Sequence, residues 1–386
     1  MATNKNINQN NLYSKRDFVK IICISIIVTG LLGLSSCFNK TKTLKLYGSG
    51  TLDIGKSWDK LDKDLDIKLV FADNGNDVGP IISNMVNGTA AYDFDVSGVQ
   101  GGAERELAEA KKILPWDTTK LKNWGATWDW VKKIPHCYVD GKLYGIPIVA
   151  NADAIIYLPE KMGGVVTSYS VIFDPKYKGK TAMEDSWINS VIFTAIYLKE
   201  NNLMAIDKPG DLTETELKGV MEFLIQKKKE GQFKTFWSGW ENGLSLIKSG
   251  EVWAMTGWEP IQVEAKKAGI NCEYAVPREG YEGWTNDLLL NAGTKDNGNY
   301  DNAHLFADWQ LSGYYGCFMA KERGYIVPNN LSIAYAKTDT AYNADEQAKK
   351  IEHVKNKFLN SKVYWQNTRP KNYKLYEEWW AKLRNS

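Results

Sequence analysis

Cysteine and histidine are scarce in this 386-residue chain, which holds five Cys and three His. No Cys-x-x-Cys pair occurs, so a zinc-finger arrangement is excluded. His136, His304 and His353 stand far apart, with no carboxylate or Cys at metal-ligand spacing. Neither Gly-x-Ser-x-Gly nor His-Glu-x-x-His is present, which removes two common hydrolase signatures. Asp93 with Asp95, or Glu184 with Asp185, could form a glycosidase pair, but such pairs occur in most chains of this size. The sequence therefore leads us to expect no catalytic residue, no metal and no cofactor. Charge of one sign is also lacking. The formal net charge is +2, and Lys5, Lys15, Arg16 and Lys20 precede residue 37 against Asp17 alone. The remainder is close to neutral, which gives nucleic acid no electrostatic footing. There is no internal repeat and no long Pro- or Ser-rich linker. Aromatic residues are abundant instead, with 15 Trp and 20 Tyr. Such side chains fill cores and also build amine, sugar and peptide sites. The length suits two lobes rather than one.

Residues 21–36 form an uncharged apolar run preceded by Lys15, Arg16 and Lys20. It is short for a membrane span and well sized for a signal-peptide core. It ends in Leu34-Ser35-Ser36-Cys37, which resembles the bacterial lipobox. That resemblance implies cleavage after residue 36 and acylation of Cys37, with residues 37–43 as a tether. The segment SKRDFVK also resembles a twin-arginine export signal, except that Lys15 replaces the first Arg, so the export route stays open. The mature chain is expected in the cell envelope, lipid-anchored outside the cytoplasmic membrane or in the periplasm. Cys137, Cys272 and Cys317 remain, as a disulfide plus a free thiol or as three free thiols.

The mature chain opens with strand signals at 44–47, 67–71 and 92–96, separated by helical patterns at 55–65 and 78–87. This β-α-β-α-β order predicts an open α/β sheet with crossover helices. Ligands of such sheets sit outside the carboxyl ends of the strands, here the loops 48–51, 72–77 and 97–102. Shorter strand signals follow at 144–148, 154–157, 275–277 and 287–290. Helical patterns cover 190–201, 213–229, 241–249, 259–268, 301–311, 345–360 and 371–384.

Gly50-Thr51-Leu52-Asp53-Ile54-Gly55-Lys56-Ser57 fits the phosphate-cradling pattern G-x-x-x-x-G-K-S between a strand and a helix. Two observations count against an NTPase. The segment follows a lipobox into a compartment without ATP, and no later apolar strand ends in a convincing magnesium-binding Asp.

Several segments together resemble the bacterial spermidine/putrescine-binding proteins. They are Asp174-Pro175-Lys176-Tyr177-Lys178-Gly179-Lys180, Gly250-Glu251-Val252 with Trp258, and Pro277-Arg278-Glu279-Gly280 with Trp284. Gly324-Tyr325-Ile326-Val327-Pro328-Asn329 and Trp365-Gln366-Asn367 with Tyr376-Glu377-Glu378 complete the set. The matches keep their order over residues 44–384. The resemblance implies a type II periplasmic-binding-protein fold, two α/β lobes closing on a ligand by a hinge. It implies residues 44–145 plus about 287–330 in one lobe, and about 146–286 plus 331–386 in the other. It also implies a small amine-type or zwitterionic solute as ligand, ABC permease subunits as partner, and a monomer. An exported hydrolase on an α/β fold is the alternative from another class.

Carried over one at a time, Trp258 and Trp284 match aromatics that sandwich an amine chain. Tyr325 and Gln366 match polar contacts, and Asp185 matches a carboxylate that holds an ammonium. An aromatic box with a carboxylate suits a cation. The departures matter. Asn286 stands where the family has an acid, Ile188 where it has a second one, and Ser49, Gly50 and Thr51 replace aromatics. Bare N–H groups near a helix N-terminus favour an anion. The expected ligand is thus a single-charge amine or a zwitterion rather than spermidine. Glu184, Trp187 and Glu259 are further candidates for amine contacts.

Overall fold

The computed structural model describes residues 42–75 and 78–386. The signal segment, Cys37 and nearly all of the tether lie outside the described residues. β1 (Lys42–Gly48) and β2 (Ile67–Asp73) are parallel neighbours, with Leu44 opposite Leu69. The helix Asp59–Leu65 crosses between them and buries Leu61. After the helix Val78–Val86, β3 (Val96–Gln100) pairs with the other edge of β1, again parallel. The expected β-α-β-α-β order is present. The third strand starts later than the alternating 92–96 pattern predicts. Ala90–Asp93 is helical, Phe94 stacks on Tyr47 at 5.0 Å, and Asp95 accepts from the Lys45 amide at 2.7 Å. Those contacts use the residues before strand pairing can.

β4 (Gly145–Tyr157), β5 (Thr181–Glu184), β6 (Phe233–Trp237), β7 (Ala254–Gly257) and β8 (Tyr281–Asn291) continue the main path of an 11-stranded mixed sheet. The strand order is β2-β1-β3-β8-β4-β7-β5-β6. β4 and β8 are its long antiparallel centre, and every residue of both is buried. Burial on both faces removes the polar alternation that marks a half-exposed strand, so the sequence showed them only as fragments. Their register shifts between Asn286 and Asp287, a bulge that lies at the carboxyl end of β3.

Two large apolar cores flank this centre. One gathers Leu44, Leu46, Ile67, Val149, Leu288, Phe306 and Tyr315. The other gathers Ile155, Tyr169, Phe193, Ile196, Leu224, Tyr376 and Leu383. β4 supplies Val149 to the first and Ile155 to the second, so the chain passes from core to core along this strand. The helix Ala344–Asn360 sends Ile351 and Val354 into the first core. The helix Tyr373–Asn385 sends Tyr376, Trp380 and Leu383 into the second. Cys137, Cys272 and Cys317 are free and buried. Among the described residues, no helix is long and apolar enough to cross a membrane.

Candidate functional site

A cavity of about 370 Å³ opens between the two cores, over the middle of β4 and β8. Seven residues singled out in the sequence line it: Gly50, Thr51, Trp258, Trp284, Asn286, Tyr325 and Gln366. They arrive from five different turns and strands. Gly50 and Thr51 follow β1. Trp284 and Asn286 alternate on β8, and Trp258 caps the helix Glu259–Lys267 after β7. Tyr325 follows Gly324, whose φ of 71° makes the sharp turn that a side-chain-bearing residue would resist.

The aromatic walls are braced. Trp284 meets Tyr325 edge to face at 5.1 Å, and Trp258 meets the fully buried Trp237 in the same way at 5.1 Å. Trp284 donates its Nε1–H to Asp153 Oδ2 at 2.7 Å. Asp153, in the middle of β4, also lies 3.3 Å from the Tyr274 hydroxyl and faces the cavity. Gln366 donates to Asn189 Oδ1 at 2.7 Å, and Asn189 donates to Glu184 Oε2 at 2.6 Å. This relay fixes the orientation of both amides.

The electrostatics of this wall are unusual. Burial raises Asp153 to about 7, against the pull of Lys357 and the Trp284 hydrogen bond. Burial likewise raises Glu184 to about 7, with Asp153 adding to the rise. Glu282 lies directly across from Asp153 on β8 and is raised well above the carboxylate range by burial, then by Asp153 and Glu184. Burial and the charges of Asp153, Glu259 and Glu184 keep the Tyr325 phenol protonated. Asp153 lines the cavity, Glu282 lies across from it, and Glu184 lines an adjoining hollow beyond Asn189, so a cation placed against Asp153 relieves its desolvation and the repulsion of these neighbours. On the rim, Arg323 donates to the Asp53 carbonyl at 2.7 Å and has no ion-pair partner among the described residues.

The family model for bacterial extracellular solute-binding proteins matches residues 57–350. The chain belongs to that family. Solved structures agree in fold. The spermidine/putrescine ABC transporter substrate-binding protein PotD of Streptococcus pneumoniae superposes with a TM-score of 0.68 at 12% identity, covering 89% of this chain and 99% of its own. The TpPotD lipoprotein of Treponema pallidum gives 0.69 at 15%, covering 89% and 100%. A GABA receptor gives 0.66 at 17%, covering 89% and 97%. The α/β periplasmic-binding-protein fold expected from the sequence is therefore the fold of this solute-binding protein.

Two singled-out residues stand back from the cavity of the binding protein. Ser49 is buried behind it, its hydroxyl 3.3 Å from Asn286 Oδ1. Asp185 lines an adjoining cavity of about 660 Å³ that shares Gln100, Asn189, Trp258 and Gln366 with the first, and there one carboxylate oxygen accepts from Trp380 Nε1 at 3.0 Å and Arg384 Nε at 2.9 Å. Those partners tie it to the C-terminal helix. The N-cap of the helix Trp187–Glu200 is the next residue, Ser186. Glu259 is not a cavity acid either. Burial raises it, but Lys357, His353 and Lys350 outweigh burial and hold it well below the carboxylate range.

The phosphate-loop match also resolves. Asp53 Oδ1 accepts from the Gly55 amide at 2.9 Å and from Trp58 Nε1 at 2.8 Å. A carboxylate thus occupies the amide that a phosphate would need. The turn Gly55–Trp58 is a single 3-10 turn. The anion preference expected of this loop is met from within the loop, and the rim cation is Arg323.

Sequence reasoning missed Asp153, Asn189, Gln100 and Arg323 as lining residues. Asp153 alone left a signal. Asn151-Ala152-Asp153 interrupts an apolar run, and a charged residue inside a buried strand needs a partner or a purpose.

Proposed function

We propose that this protein is the receptor of an ABC importer and captures a small amine-bearing solute, zwitterionic rather than polycationic. The carrying observation is the buried carboxyl of Asp153 beside Trp258, Trp284 and Tyr325 in one cavity, with Glu184 reached through Asn189. The ammonium end lies against Asp153, flanked by the indoles of Trp258 and Trp284, where cation–π and charge-assisted contacts add. Asn286, Gln366 and Thr51 supply polar contacts along the chain of the solute, with Ser49 fixing Asn286 from behind. The carboxylate end points to Arg323. Glu322 lines the cavity beside Arg323, and the assignment rests on the Arg323 guanidinium, which has no ion-pair partner among the described residues, whereas Glu322 lies 3.7 Å from Lys321. Asp185 keeps its structural partners.

The two cores act as two lobes joined along β4 and β8, and closure about these strands desolvates the solute and forms the face that the permease reads. Cys37 carries the lipid that keeps the monomeric receptor beside its permease. The names of similar structures, a spermidine/putrescine transporter protein, a lipoprotein and a GABA receptor, agree with this class of solute and with anchoring.

Thermal unfolding against polyamines, amino acids, betaines, opines, phosphonates and nucleotides tests the proposal. A ligand that binds only the native state raises the midpoint by mass action. An amine-bearing zwitterion is expected to give the largest shift, and the shift shrinks in Trp258→Ala. A response to ATP with magnesium alone, or to no small molecule, contradicts it.

A further inference from the structure

On the reverse face of β8, away from the cavity, a second cluster gathers donors that sequence spacing could not connect. His136 and Cys137 end the short turn Pro135–Cys137, and Asp287 comes from the β8 bulge. His136 Nε2 lies 3.1 Å from Asp287 Oδ2 and 3.0 Å from Thr285 Oγ1. Cys137 Sγ lies 3.8 Å from the same Asp287 oxygen. The three donor atoms fall within 4.8 Å of one another. Zinc bonds of about 2.0–2.3 Å imply donor separations of roughly 3.3–3.7 Å, close to the 3.1 and 3.8 Å found from Asp287 to His136 and Cys137.

A second observation points to a cation. Glu104, at the start of the helix Glu104–Glu109, is fully buried with its carboxyl against that of Asp287. Its Oε2 accepts from the Gly102 amide at 2.7 Å. Glu104 Oε1 and Asp287 Oδ1, both on side chains shut off from solvent, find no donor among the described residues beyond a proton the two carboxyls share with each other. No Lys or Arg is ion-paired with either acid there. Two buried carboxyls facing one imidazole and one thiol are poorly compensated by the protein alone.

We propose that His136, Cys137 and Asp287 bind a zinc-class divalent cation, with the Glu104 carboxyl beside Asp287. Imidazole with thiolate selects a borderline-soft metal over calcium or magnesium. The site is structural, since it sits inside the fold and the solute lies across β8 from it. The metal pins the turn Pro135–Cys137 to the bulge between Asn286 and Asp287. That bulge carries Asn286 to the cavity, so metal loading sets the position of part of the solute site.

The purified, chelator-stripped protein is titrated with zinc by calorimetry and with cobalt(II) by absorption. One equivalent of zinc is expected, with a rise in unfolding midpoint. Bound cobalt should show thiolate charge-transfer absorption, absent in Cys137→Ser. Asp287→Asn and His136→Gln should weaken zinc by about ten-fold or more. His136 is partly exposed, so His136→Gln remains informative if the buried changes disturb folding, which circular dichroism checks. Absence of zinc binding by the wild-type protein, or equal binding by all variants, overturns the proposal. So would Asp287→Asn that gains stability without any metal response in the wild type, because the carboxyls then merely share a proton.

Discussion

Lowering the pH should weaken solute binding before it disturbs the fold, because the ammonium site must first lose protons. Asp153 and Glu184 are both raised to about 7 by burial. A carboxyl with a pKa near 7 is about half ionised at pH 7 and about one-hundredth ionised at pH 5. If Asp153 must ionise to hold the ammonium, affinity falls about fifty-fold between those pH values, ~2.3 kcal/mol. The groups around Asp153 set the sign. Lys357 and the Trp284 donor pull its value down, while burial, Glu259 and the facing Glu282 oppose them. Calorimetry across pH 5 to 8, in buffers of different ionisation enthalpy, should show proton release on binding. Asp153→Asn should cost about 1.5–3 kcal/mol at pH 7, the usual worth of a hydrogen bond to a charge, and should flatten the profile. Affinity that is constant with pH, or higher at pH 5, would refute the reasoning.

The empty protein should itself respond to the same acid. A carboxyl raised in the folded state binds its proton more tightly there, so its contribution to stability is favourable at low pH. That contribution is lost as pH climbs from about 4 toward 7, and Asp153→Asn should reduce the loss seen in urea unfolding. Trp258→Ala should weaken an amine solute by about 1–2 kcal/mol with little change in urea midpoint, since the ring is only partly buried. Lys357→Met should destabilise by about 3 kcal/mol, because Lys357, 3% exposed, holds Glu259 at 2.7 Å, leaving only Lys350 and His353 as its partners. Gly280→Ala should cost about 2 kcal/mol or more. Its φ is 104°, and a Cβ there would stand 2.5 Å from the Lys362 carbonyl oxygen. Lys56→Met should leave solute affinity unchanged, since the Gly50 to Ser57 segment holds a carboxylate, Asp53, on its own amide.

The parts of the fold that local rules control were legible. The opening strands and crossover helices follow from periodicity, and the helix Glu214–Lys229 begins at a Thr213 capping box that its sequence announces. Trp258, Trp284, Tyr325 and Gln366 came from short motifs in fixed order, and all four line one cavity. What failed to show depended on pairing between distant segments. Asp153 gained its meaning only when Trp284, 131 residues later, was placed at hydrogen-bond distance. Asp185 read as a cavity acid until Trp380 and Arg384 came round to it from the last helix. His136 and Cys137 were passed over because Asp287 lies 150 residues away from Cys137. Long, fully buried strands such as β4 hid their own continuity, since neither face alternates.

The most direct test compares γ-aminobutyrate with putrescine by calorimetry on the same protein at pH 7.5. The two share a four-carbon frame and one ammonium, and differ only in whether the far end is a carboxylate or a second ammonium. Tighter binding of γ-aminobutyrate, with the preference abolished in Arg323→Ala, is the predicted result. Tighter binding of putrescine, or a preference that Arg323→Ala leaves intact, would contradict an acid wall at one end of the cleft and a cation at the other.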